Sequence, residues 1–391
     1  MGVELLADEI DGRLHVAVVK KGVVDNLYVD AKNGAGAWGS LYLGKVSKID
    51  RKLDAAFVDL GGGLVGFLPA KHVHLPGANR SEARTGIADL LKPGQIIMVQ
   101  VKTEARQDSA HEHHKLPRLT TKIYLFGQYL IYSPMLGKVV ISEGIENEDL
   151  YKMAAKLKGK GGWIIRPAAE TATEEALQFE SQSLLSDWQD VQNLREAGLL
   201  RPGPDAVTRA LNDYGAALGH IHAGNKKILD RIIAWSEKHA PALAASKRLR
   251  LFKPVSKSEK LFDMHDVYST LDVLGDAHVP LKSGGSLIIE RTQAFTVIDV
   301  NQGSAAGTAA VNAEAVLEAA RQTRLRSLSG AILIDFISMP QKSERTRLIQ
   351  SLEAAFARDF AGAQVHGLTR LGIAEVTRKR RGASLAEKLE L

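Results

Sequence analysis

The alternation of apolar and polar positions divides the chain into stretches with different periodicity. Residues 36–73 contain short β-rich runs separated by glycine-rich turns, and a similar run, QIIMVQVKTEA, follows at 95–105. This pattern is typical of a small, twisted antiparallel barrel. From about residue 148 to residue 240 the pattern becomes helical, as in TEEALQFESQSLLSDWQDVQNL and AVTRALNDYGAAL, with a strand at GWIIRP and a loop at LLRPGPD.

The last third of the chain follows a linker-like segment, RLFKPVSKSEKLF, and predicts a strand, a helix and a strand. The three segments are AFTVIDVN, VNAEAVLEAARQTRLRSL and AILIDFISM. Two strands joined by a single crossover helix form a βαβ unit with parallel neighbours. The chain is therefore predicted to be an α/β protein of several domains, and its length of 391 residues suggests two or three.

One acidic residue interrupts each strand of the βαβ unit. Asp299 and Asp335 lie late in otherwise apolar runs, so parallel pairing would bring them together near the carboxyl ends of the strands, where α/β sheets usually place ligands. Asn301 projects to the same face as Asp299, and Gly303 with Ser304 would let the backbone approach a ligand. Two close carboxylates favour a site for magnesium or manganese. A capping or ion-pairing role is the alternative.

Composition narrows the function classes. Lys and Arg number 51 against 45 Asp and Glu, and the net charge of +6 with a pI near 9.2 indicates a polyanionic partner. The chain has no Cys, which excludes disulfides, thiolate zinc sites and cysteine nucleophiles and fits a reducing cytoplasm. No run of about 18 apolar residues occurs, so no membrane span is expected, and the start of the chain lacks a signal-peptide pattern.

Two aromatic residues lie in the barrel segment DAAFVDLGGGLVGFLP. Phe57 and Phe67 are separated by a glycine-rich turn, so a hairpin would place them side by side on one face. Rings in that position either stack nucleic-acid bases or belong to the core. The nearby histidines of HEHHK, at residues 111–115, have no patterned acids or cysteines around them and predict a polar loop rather than a metal site.

Three segments together resemble the catalytic portion of the ribonuclease E/G family: VIDVNQGS, ARQTRLRSLSGAILIDFISM and LYLGKVSKIDRKLDAAFVDLGGGLVGFLPAKHV. The resemblance implies an OB-fold barrel inserted in an RNase H-like subdomain, an α/β sensor region for RNA 5′ ends, and a DNase I-like α/β catalytic subdomain. The implied bounds are 1–35 with 215–278 for the RNase H-like subdomain, 36–125 for the OB fold, 126–214 for the sensor-like region and 279–391 for the catalytic subdomain.

The resemblance also implies an activity. Members of this family are endoribonucleases that hydrolyse single-stranded RNA with magnesium in RNA processing or decay, and they leave 5′-phosphate and 3′-hydroxyl ends. Asp299 and Asp335 match the two metal-binding aspartates, and Asn301 matches the supporting asparagine. Family positions that contact RNA match Phe57, Phe67, Lys115, Arg166 and Arg370, with Arg166 at the position that binds a 5′-monophosphate.

The chain departs from the family pattern at several positions. Pro167 replaces a threonine beside Arg166, and Gln293 and Ser338 replace acids. The absence of Cys rules out the thiolate zinc link that joins protomers in the family, so the oligomeric state stays open. An alternative function is therefore a non-catalytic protein that binds single-stranded RNA. Retention of both aspartates and of Asn301 favours the enzyme.

Overall fold

The computed structural model describes residues 2–31, 36–74, 86–107, 114–142, 145–157, 159–305, 307–357 and 359–389. Its strands are β1 (Val3–Ile10), β2 (Arg13–Lys20), β3 (Val23–Val29), β4 (Leu41–Asp50), β5 (Ala55–Asp59), β6 (Val65–Pro69), β7 (Ile96–Thr103), β8 (Arg106–Gln107), β9 (His114–Lys115), β10 (Arg118–Thr120), β11 (Leu125–Phe126), β12 (Leu130–Ser133), β13 (Val139–Ile141), β14 (Gly162–Ile165), β15 (Gly198–Arg201), β16 (Leu218–Ala223), β17 (Leu249–Leu251), β18 (His278–Pro280), β19 (Ser286–Arg291), β20 (Phe295–Asn301), β21 (Gly330–Asp335), β22 (Ala363–Leu368) and β23 (Ala374–Arg378). Its α-helices are α1 (Ile87–Leu90), α2 (Glu148–Ala155), α3 (Glu174–Asn193), α4 (Ala206–Tyr214), α5 (Lys226–His239), α6 (Pro241–Ala244), α7 (Val267–Asp272), α8 (Thr308–Leu325), α9 (Lys342–Phe356) and α10 (Leu385–Leu389).

The chain forms two compact units. Unit 1 comprises Met1–Val16 with Asp30–Lys253, and unit 2 comprises Ala17–Val29 with Pro254–Leu391. The boundary between Lys253 and Pro254 falls inside the segment predicted to be a linker. The finer division into four regions is not tested by these two units and stays a prediction. No helix among the described residues combines the length and apolar character needed to cross a membrane.

Unit 1 contains a closed five-stranded barrel, which confirms the barrel prediction. Strands β4, β5, β6, β10 and β7 follow one another around the barrel, and β7 pairs again with β4. The interior holds buried aliphatic side chains from all five strands: Val46, Val58, Leu68, Val99 and Leu119. The barrel is narrow, since a Cβ at Gly66 would lie 2.4 Å from the Leu119 side chain. Only glycine fits there.

A four-stranded sheet, in the order β11-β12-β14-β13, follows the barrel along the chain in unit 1. Helix α3 packs its buried residues against this sheet, and one of them is the fully buried Glu180. The Glu180 carboxylate accepts hydrogen bonds of 2.5, 2.8 and 2.8 Å from the backbone N–H groups of residues 128–130. Burial raises the pKa of Glu180 to about 7, although these donors favour the ionised form. Glu180 thus fixes the turn between β11 and β12.

Strand β16 lies between β1 and β17 in unit 1 and runs parallel to both. The label RNase H-like for this region stays a prediction.

Strand β15 includes residues that were predicted to form a loop. LLRPGPD was assigned to a loop from its sequence, but Leu199 and Arg201 pair with β4. Residues 199–201 carry no turn signal of their own, and the glycine and prolines that suggested a loop begin after them.

Unit 2 is built on a six-stranded sheet in the order β18-β19-β20-β21-β23-β22. Strands β20 and β21 are parallel and are joined by α8, which confirms the predicted βαβ unit. Side chains alternate along β20, so Thr296, Ile298 and Val300 are buried while the intervening positions are more exposed. Helices α8 and α9 supply the rest of this core, including Val311, Ala315, Ala319, Leu348 and Leu352. The other side of the strands carries the predicted catalytic residues.

Candidate active site and nucleic-acid interface

Asp299 and Asp335 are direct cross-strand partners. The parallel register of β20 and β21 pairs Phe295 with Ala331 and continues to Asp299 opposite Asp335, the last residue of β21. Both carboxylates are exposed, so Asp299 is not a buried charge even though its run is apolar. The alternating pattern explains this, because the apolar neighbours of Asp299 point into the core and Asp299 points away from it. The structure thus brings together the two acids identified in the sequence.

Asn301 lies two residues after Asp299 on β20. Its side chain lies on the same face as Asp299, and Nδ2 donates a 2.9 Å hydrogen bond to Asp299 Oδ2.

Gly303 was predicted to let the backbone approach a ligand, but the structure shows a different reason for a glycine at this position. Its φ is +54°, and a Cβ there would lie 2.4 Å from the carbonyl oxygen of Gly284. The close approach at Gly303 is therefore between two backbone segments of the protein.

A residue that the sequence analysis missed holds the chain just after Asp335. Asn312 on α8 is buried, and its Nδ2 donates to the Ile337 carbonyl at 2.8 Å while its Oδ1 accepts from the Ile337 N–H at 3.1 Å. These two bonds fix the backbone two residues beyond Asp335. A buried asparagine at a helical core position signals such a contact, but its partner is not visible from sequence.

The donor set fits a hard cation that keeps most of its water. Two adjacent carboxylates with an amide beside them suit Mg²⁺, which is usually bound by one or two carboxylates plus water and phosphate oxygens. Within the described ranges no group of three or more His, Cys, Asp or Glu side chains is placed to hold a metal. A site here would therefore rely on substrate and water oxygens to complete its coordination.

Two positions at which the resemblance implied an acid lie on different sides of this pair. Ser338 is exposed three residues after Asp335, near the carboxyl end of β21. Gln293 is in the turn between β19 and β20, before Phe295, and so lies beyond the opposite end of β20 from Asn301. Of these two positions, Ser338 is the one at the end of the strands where Asp299 and Asp335 lie.

Arg370 lies at the same end of the sheet as the aspartates. Strand β23 is antiparallel to β21 and pairs Ala374 with Ile334, so the loop before Ala374 is next to the end of β21. Arg370 is exposed in that loop. The loop is ordered by Thr369, whose Oγ1 accepts from the N–H groups of Leu371 and Ile373 at 3.2 and 3.1 Å. An exposed guanidinium in this position suits a phosphate group.

Phe57 and Phe67 stand side by side, as the hairpin prediction required. They are directly opposite on β5 and β6, their ring centroids are 5.8 Å apart, and their planes meet at 67°. Both rings are partly exposed while their strand neighbours are buried. They therefore form an accessible edge-to-face pair on the outside of the barrel.

Cationic side chains flank this aromatic pair in the same cross-strand row. Lys48 is opposite Phe57, with Nζ 5.8 Å from the ring centroid, and Arg118 is opposite Phe67. Both are exposed, and neither was identified from sequence. Lys115 is exposed on β9, close in sequence to Arg118. The barrel thus presents the order cation, ring, ring, cation across four strands.

His72 lies beside cationic side chains of this surface. Its Nε2 lies 3.3 Å from Lys102 Nζ. Partial burial, followed by the charges of Lys102, Lys71 and Arg118, lowers the pKa of His72 to about 4. The lysine and arginine side chains of this surface therefore attract anions without a contribution from a protonated His72.

Of the histidines predicted to lie in a polar loop, His111 and His113 are outside the described residues, and the backbone of His114 belongs to β9.

Arg166 is placed differently from the other predicted RNA-binding residues. It is buried, NH2 forms a 2.6 Å ion pair with buried Asp213, and NH1 donates to the carbonyls of Gly127 and Asn212 at 2.5 and 2.7 Å. Its terminal nitrogens are thus engaged by the protein, and Pro167 begins a 3₁₀ turn immediately after it. The geometry supports a structural role and offers no exposed fork to a 5′-phosphate.

The basic run at residues 378–381 is also largely structural. Arg378 donates to Asp359 at 2.5 Å and to the Leu328 carbonyl at 2.7 Å, and Arg380 donates to Glu387 at 3.0 Å. This run lies at the end of β23 and after it. Carboxylates within unit 2 neutralise two of its charges.

The sequence of this chain matches two family models. The sequence profile of the Ribonuclease E/G family matches residues 124–381, and the profile of the S1 RNA binding domain matches residues 38–111, which contain both phenylalanines. The first match includes Asp299, Asn301 and Asp335.

Individual ribonucleases are also similar to this chain over almost all of its length. Ribonuclease G of Salmonella typhimurium (strain SL1344) is 31% identical over 100% of this chain and 82% of its own length. Ribonuclease G of Haemophilus influenzae is 32% identical over 99% of the chain and 81% of its own length. Ribonuclease E of Escherichia coli (strain K12) is 31% identical over 96% of the chain, which spans 36% of that longer protein. The chain therefore belongs to the ribonuclease E/G family and contains an S1 RNA binding domain.

Proposed function

We propose that the protein is a magnesium-dependent endoribonuclease that hydrolyses phosphodiester bonds of single-stranded RNA and leaves 5′-phosphate and 3′-hydroxyl ends. The observation that carries this proposal is the direct pairing of Asp299 with Asp335 at the carboxyl ends of parallel strands, with Asn301 bonded to Asp299. Membership of a family whose relatives are named ribonucleases supports the hydrolytic activity. Manganese fits the same ligands.

The roles of the site residues follow from their chemistry. Asp299 and Asp335 would hold the cation, and Asn301 would fix the orientation of the Asp299 carboxylate. When bound, Mg²⁺ supplies charge neutralisation and an activated water for in-line attack. Arg370 would bind a phosphate of the RNA near the carboxyl end of β21, since its guanidinium is exposed there.

The barrel is proposed to hold the RNA strand. Phe57 and Phe67 would stack on bases without strong sequence preference, and Lys48, Lys115 and Arg118 would contact backbone phosphates. Such contacts make binding weaker at high salt. The 5′-phosphate role predicted for Arg166 is not included, because the protein itself occupies the terminal nitrogens of the guanidinium.

A cleavage assay tests the activity. Purified protein is incubated with a fluorescent single-stranded oligoribonucleotide in Mg²⁺ or in EDTA, and product ends are identified by mass spectrometry. We expect internal cleavage with 5′-phosphate and 3′-hydroxyl ends in Mg²⁺ and none in EDTA. RNA binding without cleavage in either condition would favour the alternative, a non-catalytic RNA-binding protein. Cleavage that persists in EDTA would contradict the metal site.

The double substitution Phe57→Ala with Phe67→Ala tests the RNA-binding surface. Each stacked base contributes about 1–3 kcal/mol, so we expect RNA affinity to fall by at least about fivefold. Folding should persist because both rings are partly exposed. Affinity is measured by fluorescence anisotropy in EDTA, with Phe179→Ala as the control because Phe179 is 37% exposed on α3. Unchanged affinity in a folded double variant would exclude stacking, whereas loss of folding would indicate a core role.

A further inference from the structure

A second aromatic cluster lies in unit 1, formed by Trp38, Tyr124 and Phe126. The ring centroids of Trp38 and Phe126 are 4.6 Å apart, and those of Tyr124 and Phe126 are 6.5 Å apart. Lys122 Nζ lies 5.5 Å from the Tyr124 ring centroid. All four side chains are partly exposed. Three rings with a cation over one of them repeat the chemistry of the Phe57 and Phe67 surface.

The cluster is held by a buried polar residue. Gln100 is 4% exposed, and its Nε2 donates to the carbonyls of Gly39 and Tyr124 at 3.0 and 2.8 Å. Its Oε1 accepts from the Tyr124 N–H at 2.9 Å. One side chain therefore joins the segment that carries Trp38 to the segment that carries Tyr124. The rings are positioned before any ligand arrives, which reduces the entropy cost of binding.

The cluster is continuous in the chain with the RNA-binding surface of the barrel. Arg118 is opposite Phe67, and the segment from Arg118 leads directly to Phe126. Leu119, Ile123 and Leu125 in this segment are buried, whereas Lys122, Tyr124 and Phe126 are partly exposed. Thr120 and Thr121 are buried polar residues of the segment, and their hydroxyls donate to the carbonyls of His72 and His74 at 3.2 and 2.9 Å. Partly exposed cationic and aromatic side chains thus follow Arg118 along this segment of the chain.

We propose that Trp38, Tyr124 and Phe126 form a second base-stacking platform for single-stranded RNA, with Lys122 contacting the backbone phosphate beside it. This inference rests on the proposed RNA-binding function and extends it to a longer stretch of RNA. Aromatic platforms accept any base because every base has a π-face, and adjacent cations follow the phosphates. The platform therefore increases affinity for longer strands without adding sequence preference.

Dependence of binding on oligonucleotide length tests the platform. Affinities of labelled oligouridylates of about 4 and about 12 nucleotides are measured in EDTA, and both lengths lie within the site sizes of OB folds, about 4–16 nucleotides. In the Tyr124→Ala, Phe126→Ala double variant we expect affinity for the longer strand to fall by at least about fivefold, with affinity for the shorter strand unchanged. Phe57→Ala with Phe67→Ala should weaken both. Tyr151→Ala is the matched control, because Tyr151 is 50% exposed on α2.

The outcomes separate this proposal from the one on which it rests. Equal affinity of the folded double variant and the wild type for the longer strand would overturn the platform and leave packing as the role of these rings. Failure of the wild type to bind either strand would overturn both proposals. If the double variant is unfolded, the single variants decide: Tyr124→Ala should lose affinity for the longer strand, and Tyr124→Phe, which keeps the ring, should retain it. Equal affinities of these two would again overturn the proposal.

Discussion

Asp299→Asn is expected to abolish RNA cleavage while leaving RNA binding by the barrel largely intact. The substitution keeps the size and shape of the side chain but removes one of the two carboxylates of the proposed magnesium site. A metal ion supplies several kcal/mol of transition-state stabilisation, and each 1.36 kcal/mol is a factor of ten in rate, so cleavage should fall by roughly a thousandfold or more. The rate is measured as a function of Mg²⁺ concentration for the variant and the wild type.

Stability in EDTA distinguishes this role from a structural one. Asp299 and Asp335 are like charges directly opposite each other on neighbouring strands, and such pairs are destabilising. Without metal, Asp299→Asn should therefore melt at the same temperature as the wild type or higher. Glu353→Gln is the charge-matched control, since Glu353 is exposed on α9, and it should cleave normally. Near-normal, EDTA-insensitive cleavage by Asp299→Asn, or a lower melting temperature, would contradict the metal site.

Arg166→Ala is expected to destabilise unit 1 by about 3–5 kcal/mol. The change leaves the carboxylate of Asp213 buried without its partner, and removal of one member of a buried ion pair costs this much. It also leaves the carbonyls of Gly127 and Asn212 without the donors they have now. Urea denaturation monitored by circular dichroism measures the loss.

An exposed ion pair of the same unit provides the comparison. Lys156 and Glu174 are 2.8 Å apart, but their side chains are 57% and 40% exposed, so Lys156→Ala should cost no more than about 1 kcal/mol. The relative affinity for 5′-monophosphorylated and 5′-hydroxyl RNA is measured on the same proteins. A folded Arg166→Ala variant with wild-type stability and a lost preference for the monophosphate would restore the sensor role that the buried position argues against.

Much of the candidate site was accessible from local sequence pattern. Alternation with a period of two predicted that Asn301 shares a face with Asp299, and strand-helix-strand order predicted that Asp299 and Asp335 meet. The hairpin around the glycine-rich turn likewise predicted that Phe57 and Phe67 stand side by side. Each of these relations is confirmed by the strand registers. They were predictable because regular secondary structure determines which side chains share a face.

Contacts between residues far apart in sequence were not accessible in this way. Arg166 was predicted from the family resemblance to bind RNA, and only the fold shows that Asp213 and two carbonyls surround it. The same holds for Gln100, which joins two aromatic segments, and for Asn312, which fixes the chain after Asp335. A side chain's partners depend on which elements pack together, and local periodicity carries no information about that.

Sequence by itself therefore determined the chemistry of this protein: two acids at matched positions of parallel strands, paired phenylalanines on a barrel hairpin, and an excess of positive charge. Tertiary structure alone decided which charges remain available to a ligand. Asp299, Asp335 and Arg370 are exposed, while Arg166 is buried and Arg378 is paired with a carboxylate. The physical reason is that burying a charge is costly unless a partner compensates it, and only packing determines which charges are buried and which partner each one meets.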